Sequence, residues 1–202
     1  MTRQELKKWS KEKMKGHMWK ILGALLIVGL INGLSAEIDL KNEFLNLTVS
    51  IGFTLIGCIV SIGLVEFMIN YINDQKYDYE MLFSKFSDWK RILLTYFHVY
   101  IRVLLWTLLL IIPGIIKAFS YVMVPYILQN DKDISPKDAL KLSEEIMNGH
   151  KMEYFMLGLS FIGWHLLAIP TLMILEIWIV PYQQTAITKY MYDLRTNYKK
   201  QI

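Results

Sequence analysis

Residues 96–126, YFHVYIRVLLWTLLLIIPGIIKAFSYVMVPY, are echoed at 154–182 by YFMLGLSFIGWHLLAIPTLMILEIWIVPY. Each copy opens on Tyr-Phe, places a Trp ten residues after that Tyr, continues to Ile-Pro and closes on Val-Pro-Tyr. A membrane crossing takes roughly 20 apolar residues at ~1.5 Å per residue, so the apolar stretches 92–128 and 154–190 are long for one crossing and short for two. Each has a proline near its middle, Pro113 followed by Gly114 and Pro170 followed by Thr171. Proline lacks an N–H and clashes with the carbonyl four residues back, and glycine adopts turn angles freely, so either a hairpin or a kinked single helix fits.

Charge placement separates the two. Two further apolar runs, 20–36 and 46–72, are plain spans. With both long stretches folded as hairpins, 19 of the 22 Lys and Arg residues share one side, in the segments 1–20, 73–91, 129–153 and 189–202; as single spans, only 15 do. Basic loops favour the cytoplasmic side. The expected fold is therefore all-α, a single polytopic membrane helix bundle over 1–202 with about six transmembrane helices in three hairpins and both termini cytoplasmic. The segments are an inner-face amphipathic stretch 1–19, hairpin one 20–72, hairpin two 92–130, a surface helix 135–149 and hairpin three 152–192. The last two hairpins form an internal parallel repeat, with helix kinks at Pro113, Pro125, Pro170 and Pro181. Pro125 is expected to free the carbonyl of Tyr121, and Pro181 that of Ile177.

Composition agrees. The chain is 54% hydrophobic with mean hydropathy +0.32, too apolar for an ordinary soluble domain. Its pI near 9.0 follows from the loop charges, so the excess of basic residues marks topology and no nucleic-acid partner is expected. The basic stretch before the first apolar run is too long for a leader, and Leu34-Ser35-Ala36 is a poor cleavage site, so the first helix is read as retained. Trp9, Trp19, Trp89, Tyr71, Tyr77, Tyr126, Tyr154, Tyr190 and Tyr192 make a belt at the inner boundary, and Lys41 lies in an outer loop with Glu37, Asp39 and Glu43. Ser135, Pro136, Asp138 and Gly149 bound a short helix whose Ala139, Leu140, Ile146 and Met147 form one apolar stripe. Thr2 and Glu5 cap a basic N-terminal helix. Both helices are expected to lie on the inner leaflet.

Ionisable residues inside membrane segments need partners, because a lone charge there is costly. Four are candidate intramembrane polar or ligand-contacting residues: Arg102, Glu66, Lys117 and Glu176. Equal depth in the repeat suggests the pairs Lys117 with Glu176 and Arg102 with Glu66, with His98 and His165 able to join them. Arg102, near mid-depth, cannot easily snorkel whereas Lys117 can, so Arg102→Leu is expected to impair folding or activity far more than Lys117→Leu. The sequence contains no Gly-rich phosphate loop, no HExxH, no paired cysteines and no Gly-x-Ser-x-Gly elbow. Cys58 stands alone and the four histidines lack ligand spacing, so no catalytic residue, metal site or cofactor is assigned. The Gly16-His17 and Gly149-His150 steps are read as helix boundaries.

The blocks LLLIIPGIIKAFSYVMVPYIL (108–128), SEEIMNGHK (143–151) and LSFIGWHLL (159–167), with the later Val-Pro-Tyr followed by Ala186, Tyr192 and Leu194, resemble a bacterial family of integral membrane proteins, domain of unknown function nine-seven-five. The resemblance extends over nearly the whole chain, including Leu82 to Phe86, and implies a bacterial cytoplasmic membrane without carrying over any catalytic residue. One departure stands out: after Thr171 the family pattern has glycines, where this chain has Leu172, Met173, Ile174, Leu175 and Glu176. The expected role is non-enzymatic, through contacts with the lipid bilayer and with another membrane protein or a second copy in a homo-oligomer: accessory to an exporter, or protection against a membrane-active peptide. The alternative is a small transporter with a site at the repeat interface and Arg102 contacting an anionic substrate. An enzyme acting on lipid ranks third, lacking a cluster of carboxylates, histidines or a nucleophile at one interface.

Overall fold

The computed structural model describes residues 1–37 and 43–201, and all the regular structure among them is helical. The outer-loop assignment of Asp39 and Lys41 falls outside these residues. Helix α1 (Arg3–Lys13) starts on a reciprocal cap, with Thr2 N–H donating to Glu5 Oε2 at 2.8 Å and Glu5 N–H to Thr2 Oγ1 at 3.3 Å. It bends by 100° into α2 (Met18–Glu37), and Gly16 at φ +82° supplies the left-handed residue the turn requires. Helix α3 (Glu43–Ile72) packs on α2, and a 3-10 segment, Tyr79–Asp88, climbs back along α3. That return is close because position 63 is glycine: a Cβ there would lie 2.6 Å from the Leu82 carbonyl carbon.

Helix α4 (Trp89–Leu109) ends at Leu110, whose backbone is extended, and α5 (Ile111–Ser120) folds back along it. Pro113 occupies the third position of α5, in the first turn where its missing N–H costs no helical bond. A Cβ at Gly114 would approach within 2.8 Å of the Thr107 Cα, so glycine allows the arms to touch. Residues 92–130 thus contain a hairpin rather than one kinked helix. After a break at Tyr121–Met123 comes α6 (Val124–Asn130), with Pro125 in its first turn. The Tyr121 carbonyl, expected to be left free, accepts the Val124 N–H at 3.1 Å, because the chain re-forms a tight turn at the break.

Helix α7 (Pro136–Ile146) has Ser135 as its cap and leaves through Gly149, again at φ +82°. Its stripe of Ala139, Leu140, Ile146 and Met147 is buried against α4, α6 and α9. Helix α8 (Lys151–Ala168) is reversed by a 3-10 turn at Ile169–Thr171, containing Pro170, followed by Leu172 and Met173 at φ 51° and 65°. Helix α9 (Glu176–Gln201) returns along α8 and runs unbroken through Pro181. The α8–α9 arms touch through the Phe161 and Tyr182 rings, 5.1 Å apart.

Three apolar clusters hold the helices. One joins α3, α4, α6, α7 and α9 around Ile62, Ile92, Ile127 and Leu140; a second joins α2, α3 and the 3-10 segment around Phe67 and Tyr71; a third sets Leu6 of α1 against Leu157, Phe161 and Ala186. Four stretches are long and apolar enough to cross a membrane, namely Glu43–Ile72, Tyr79–Leu109, Ile111–Asn130 and Lys151–Thr171, and five if the bent pair α1–α2 counts as one.

Candidate functional site

The four ionisable residues picked out from the sequence divide among three places. Arg102 and Lys117 stand on opposite arms of the α4–α5 hairpin and converge on Glu144, which α7 contributes. Lys117 Nζ lies 3.1 Å from Glu144 Oε1 and Arg102 Nη1 3.9 Å from the same oxygen. The Tyr121 hydroxyl donates to that oxygen at 2.5 Å. The Lys117 ammonium also stands over the Trp106 and Tyr121 rings, at 5.6 and 6.0 Å from their centroids. Beside the cluster, the buried Ser143 hydroxyl donates to the Ser120 carbonyl at 2.8 Å, satisfying an acceptor exposed where α5 ends.

Burial pushes the Glu144 carboxyl upward, but hydrogen bonds from Tyr121 and Lys117 and the nearby Lys117 and Arg102 charges outweigh it, leaving the group below its ordinary range. Two cations around one carboxylate make the cluster net positive. It binds α7 to both arms of the hairpin, and the Arg102 side chain remains 40% exposed.

The pairs expected from equal depth do not form. Glu66 accepts from Ser84 Oγ at 2.5 Å and lies 3.2 Å from Lys85 Nζ, both supplied by the 3-10 segment that Gly63 admits. Glu176 meets His165 Nδ1 at 2.8 Å across the α8–α9 turn, and the other ring nitrogen of His165 lies 2.7 Å from Gln183 Oε1. His98 Nδ1 is within 2.7 Å of the Leu94 carbonyl of its own helix. In each case a partner nearby in sequence, or on the adjoining amphipathic segment, displaces the partner expected across the repeat.

A fourth polar centre was absent from the sequence reading. Helix α6 is seven residues long and buried, so its last carbonyls need donors. Arg91 donates to the carbonyls of Asp131 and Leu128 at 2.5 and 3.2 Å, Lys85 to that of Gln129 at 3.4 Å, and Arg195, only 7% exposed, to that of Tyr126. Arg195 Nη2 also meets Asp131 Oδ2 at 2.8 Å. Burial lowers the Arg195 guanidinium from its ordinary value, and Asp131 opposes that shift. Cations at a helix C-terminus complement its dipole. In the sequence these residues look like ordinary inner-loop charges; the available signal was the shortness of the segment between Pro125 and the Asn130-Asp131 turn.

Among the described residues no group of three His, Cys, Asp or Glu side chains is arranged to hold a metal ion. Where the two hairpins meet, the contact is aromatic: Phe119 of α5 lies edge-on to Tyr154 and Phe155 of α8, at 5.9 and 5.8 Å. The family model described as protein of unknown function (DUF975) matches residues 97–198, which takes in the α4–α5 and α8–α9 hairpins and α7 but not α1 to α3. No curated protein matches the chain. No solved structure matches it either. On the family match, the chain belongs to the DUF975 family.

Proposed function

We propose that this member of the DUF975 family is a non-enzymatic protein of the bacterial cytoplasmic membrane, with both termini inside, that acts through contacts with lipid and with other membrane proteins. Its six membrane-embedded helices form three hairpins, α2–α3, α4–α5 and α8–α9, the last two being copies of one unit. Its action is that of an exporter accessory or of a protector against a membrane-active peptide. The observation that carries this reading is where the polar groups go. Glu144 fastens α7 to the α4–α5 hairpin through Tyr121, Lys117 and Arg102, and Glu176 closes on His165, so these charges serve assembly. The surfaces left outward on both hairpins are apolar, from Leu108 through Ile112 and from Leu172 through Ile174. The aromatic contact of Phe119 with Tyr154 and Phe155 fills the place where a transporter at the repeat interface would need a polar cavity.

A strain lacking the protein, challenged with a cationic membrane-active peptide, tests this reading. Complementation with Leu109→Gln or Leu172→Gln is expected to leave the strain as sensitive as the deletion, while Arg102→Ala restores resistance. Loss of complementation by Arg102→Ala alone, at normal protein levels, would favour transport. An unchanged sensitivity in the deletion strain would remove the protective role.

A further inference from the structure

We propose that the α4–α5 and α8–α9 hairpins do not cross the bilayer: their tips enter the acyl-chain region of the one leaflet that α1 and α7 face, and stop within it. This deepens the lipid-contact reading above and rests on it for the identity of the leaflet.

The argument starts from two helices with a wet face. Helix α7 rises beside α4, because the two helices pack together and Arg102 meets Glu144 near the head of α7, while Arg91 bonds the Asp131 carbonyl in the segment leading into it. Along that climb the exposed side chains of α7 are Lys137, Asp138, Lys141 and Glu145, every one polar. Helix α1 does the same for the other hairpin. Thr2 and Arg3 share a cavity with Met152 and Glu153, Lys7 Nζ donates to the Ser160 carbonyl at 2.6 Å, and Lys11 lines a cavity of about 300 Å³ with Trp164 and Trp178. Its exposed face holds Lys8, Lys11 and Glu12. A face of that kind cannot lie in hydrocarbon, since a charged side chain at the bilayer centre costs at least ~2.5–3.5 kcal/mol. The water boundary therefore reaches Arg102 on one hairpin and, because the exposed Lys11 stands with Trp164 and Trp178, at least Trp164 on the other.

What remains above each mark is short. From Arg102 to Leu109 is seven residues and from Trp164 to Ala168 is four, about 6–11 Å of helix at ~1.5 Å per residue. The hydrocarbon core is ~30 Å thick. Residues 103–116 contain no charge, and their one hydroxyl, Thr107, is bonded to the Val103 carbonyl at 2.8 Å. In the second tip the ionisable pair His165 and Glu176 is closed by mutual contact. Backbone polarity at the first turn is also met: the Leu110 N–H donates to the Trp106 carbonyl and the Gly114 N–H to that of Leu110, so the turn tolerates a dry setting. Both tips are strongly outward-facing, with Ile112 72% and Leu172 87% exposed. A loop emerging on the far face would need polar residues there, and 108–116 has none. The stretches 79–109, 111–130 and 151–171 are long enough to cross because they include the lower halves of the hairpins, which carry the polar-faced α7 and α1 on one side and expose Leu94, Phe97, Met152 and Phe155 on the other.

Single cysteines at Asp138, Ile111 and Leu172, on a Cys58→Ser background, are probed with an impermeant maleimide in intact cells and in inside-out vesicles. The same positions then carry an environment-sensitive fluorophore in vesicles of phosphatidylcholine and phosphatidylglycerol containing mid-chain brominated lipid. Position 138 is expected to label in inside-out vesicles only. Positions 111 and 172 are expected to label in neither preparation, to label fully after denaturation, and to be quenched by the brominated chains more than by aqueous iodide. Leu108 and Ile174 replace any position whose variant does not accumulate. Labelling of either tip from the face opposite position 138 would establish a full crossing and overturn the proposal, as would a tip shielded from the maleimide, bromine and iodide alike, which would place it under protein. Labelling at 138 in intact cells would instead overturn the cytoplasmic orientation, with depth still read from the tips relative to 138.

Discussion

Replacing Glu144 by alanine is expected to destabilise the protein by about 2–4 kcal/mol. The largest part comes from Tyr121, which is 4% exposed and loses the acceptor of its hydroxyl; a buried polar group left unpaired costs ~1–3 kcal/mol. The two ion pairs add less, because Glu144 is 33% exposed, Lys117 27% and Arg102 40%, and pairs so open contribute ~0.2–1 kcal/mol each. Glu144→Gln keeps an acceptor for Tyr121 and is expected to cost only the charge interactions, about 0.5–1.5 kcal/mol. The geometry also reverses the order expected from depth alone: Lys117, at 3.1 Å and more buried, is worth more than Arg102 at 3.9 Å, so Lys117→Leu is the more damaging change. The assay is denaturant unfolding of the purified protein in a mild detergent, followed by tryptophan fluorescence. Acidification gives an independent check. The folded Glu144 carboxyl titrates below its ordinary value of 4.5, so its stabilising effect is complete above that pH and disappears as the pH falls through the folded value. The wild-type protein then loses its advantage over Glu144→Gln below about pH 4.5. Equal stability of Glu144→Ala and wild type, or a larger loss for Arg102→Leu than for Lys117→Leu, would refute the reasoning.

Three further substitutions probe the turns and the α6 end. Gly63→Ala forces a Cβ to within 2.6 Å of the Leu82 carbonyl carbon, so overpacking of ~1–3 kcal/mol is expected, seen as a lower unfolding midpoint. Leu172→Gly relieves a left-handed leucine, whose backbone costs roughly 1–2 kcal/mol, against an entropic penalty of ~0.5–1 for glycine; a net gain of about 0.5–1 kcal/mol is expected in the same assay, and destabilisation would contradict it. Arg195→Met removes the donor to the Tyr126 carbonyl and the partner of Asp131; about 2–3 kcal/mol is expected, below the ~3–5 for a fully buried pair because Asp131 is 39% exposed, and hydrogen exchange at α6 should rise first.

The helices and their reversals were largely legible in the sequence because they depend on local rules. Pro113 and Gly114 mark a fold-back since one cannot continue a helical ladder and the other lets two backbones touch. Thr2 with Glu5 and Ser135 with Asp138 announce helix starts by the spacing of side-chain acceptor to N–H. Gly16 and Gly149 mark boundaries because only glycine takes φ +82° without strain. The absence of glycine after Thr171 was legible as a departure from the family pattern; the structure places Leu172 and Met173 at the left-handed positions where glycine is cheapest.

Ion partners were not legible, and the reason is geometric. Matching charges by depth treats each hairpin as a ruler fixed to the membrane, with partners available at the same height on other spans. The amphipathic segments break that assumption by packing lengthwise against the hairpins. Helix α7 carries Glu144 up to Arg102 and Lys117, the 3-10 segment carries Lys85 and Ser84 up to Glu66, and α1 carries Lys7 up to Ser160. A partner on such a strut is held by its own apolar stripe, as Leu140 and Ile146 hold α7, so the side chain spends less entropy in reaching the pair than one spanning two independently tilting helices. Charges that look stranded within an apolar run are thus met from the side by short polar-faced helices.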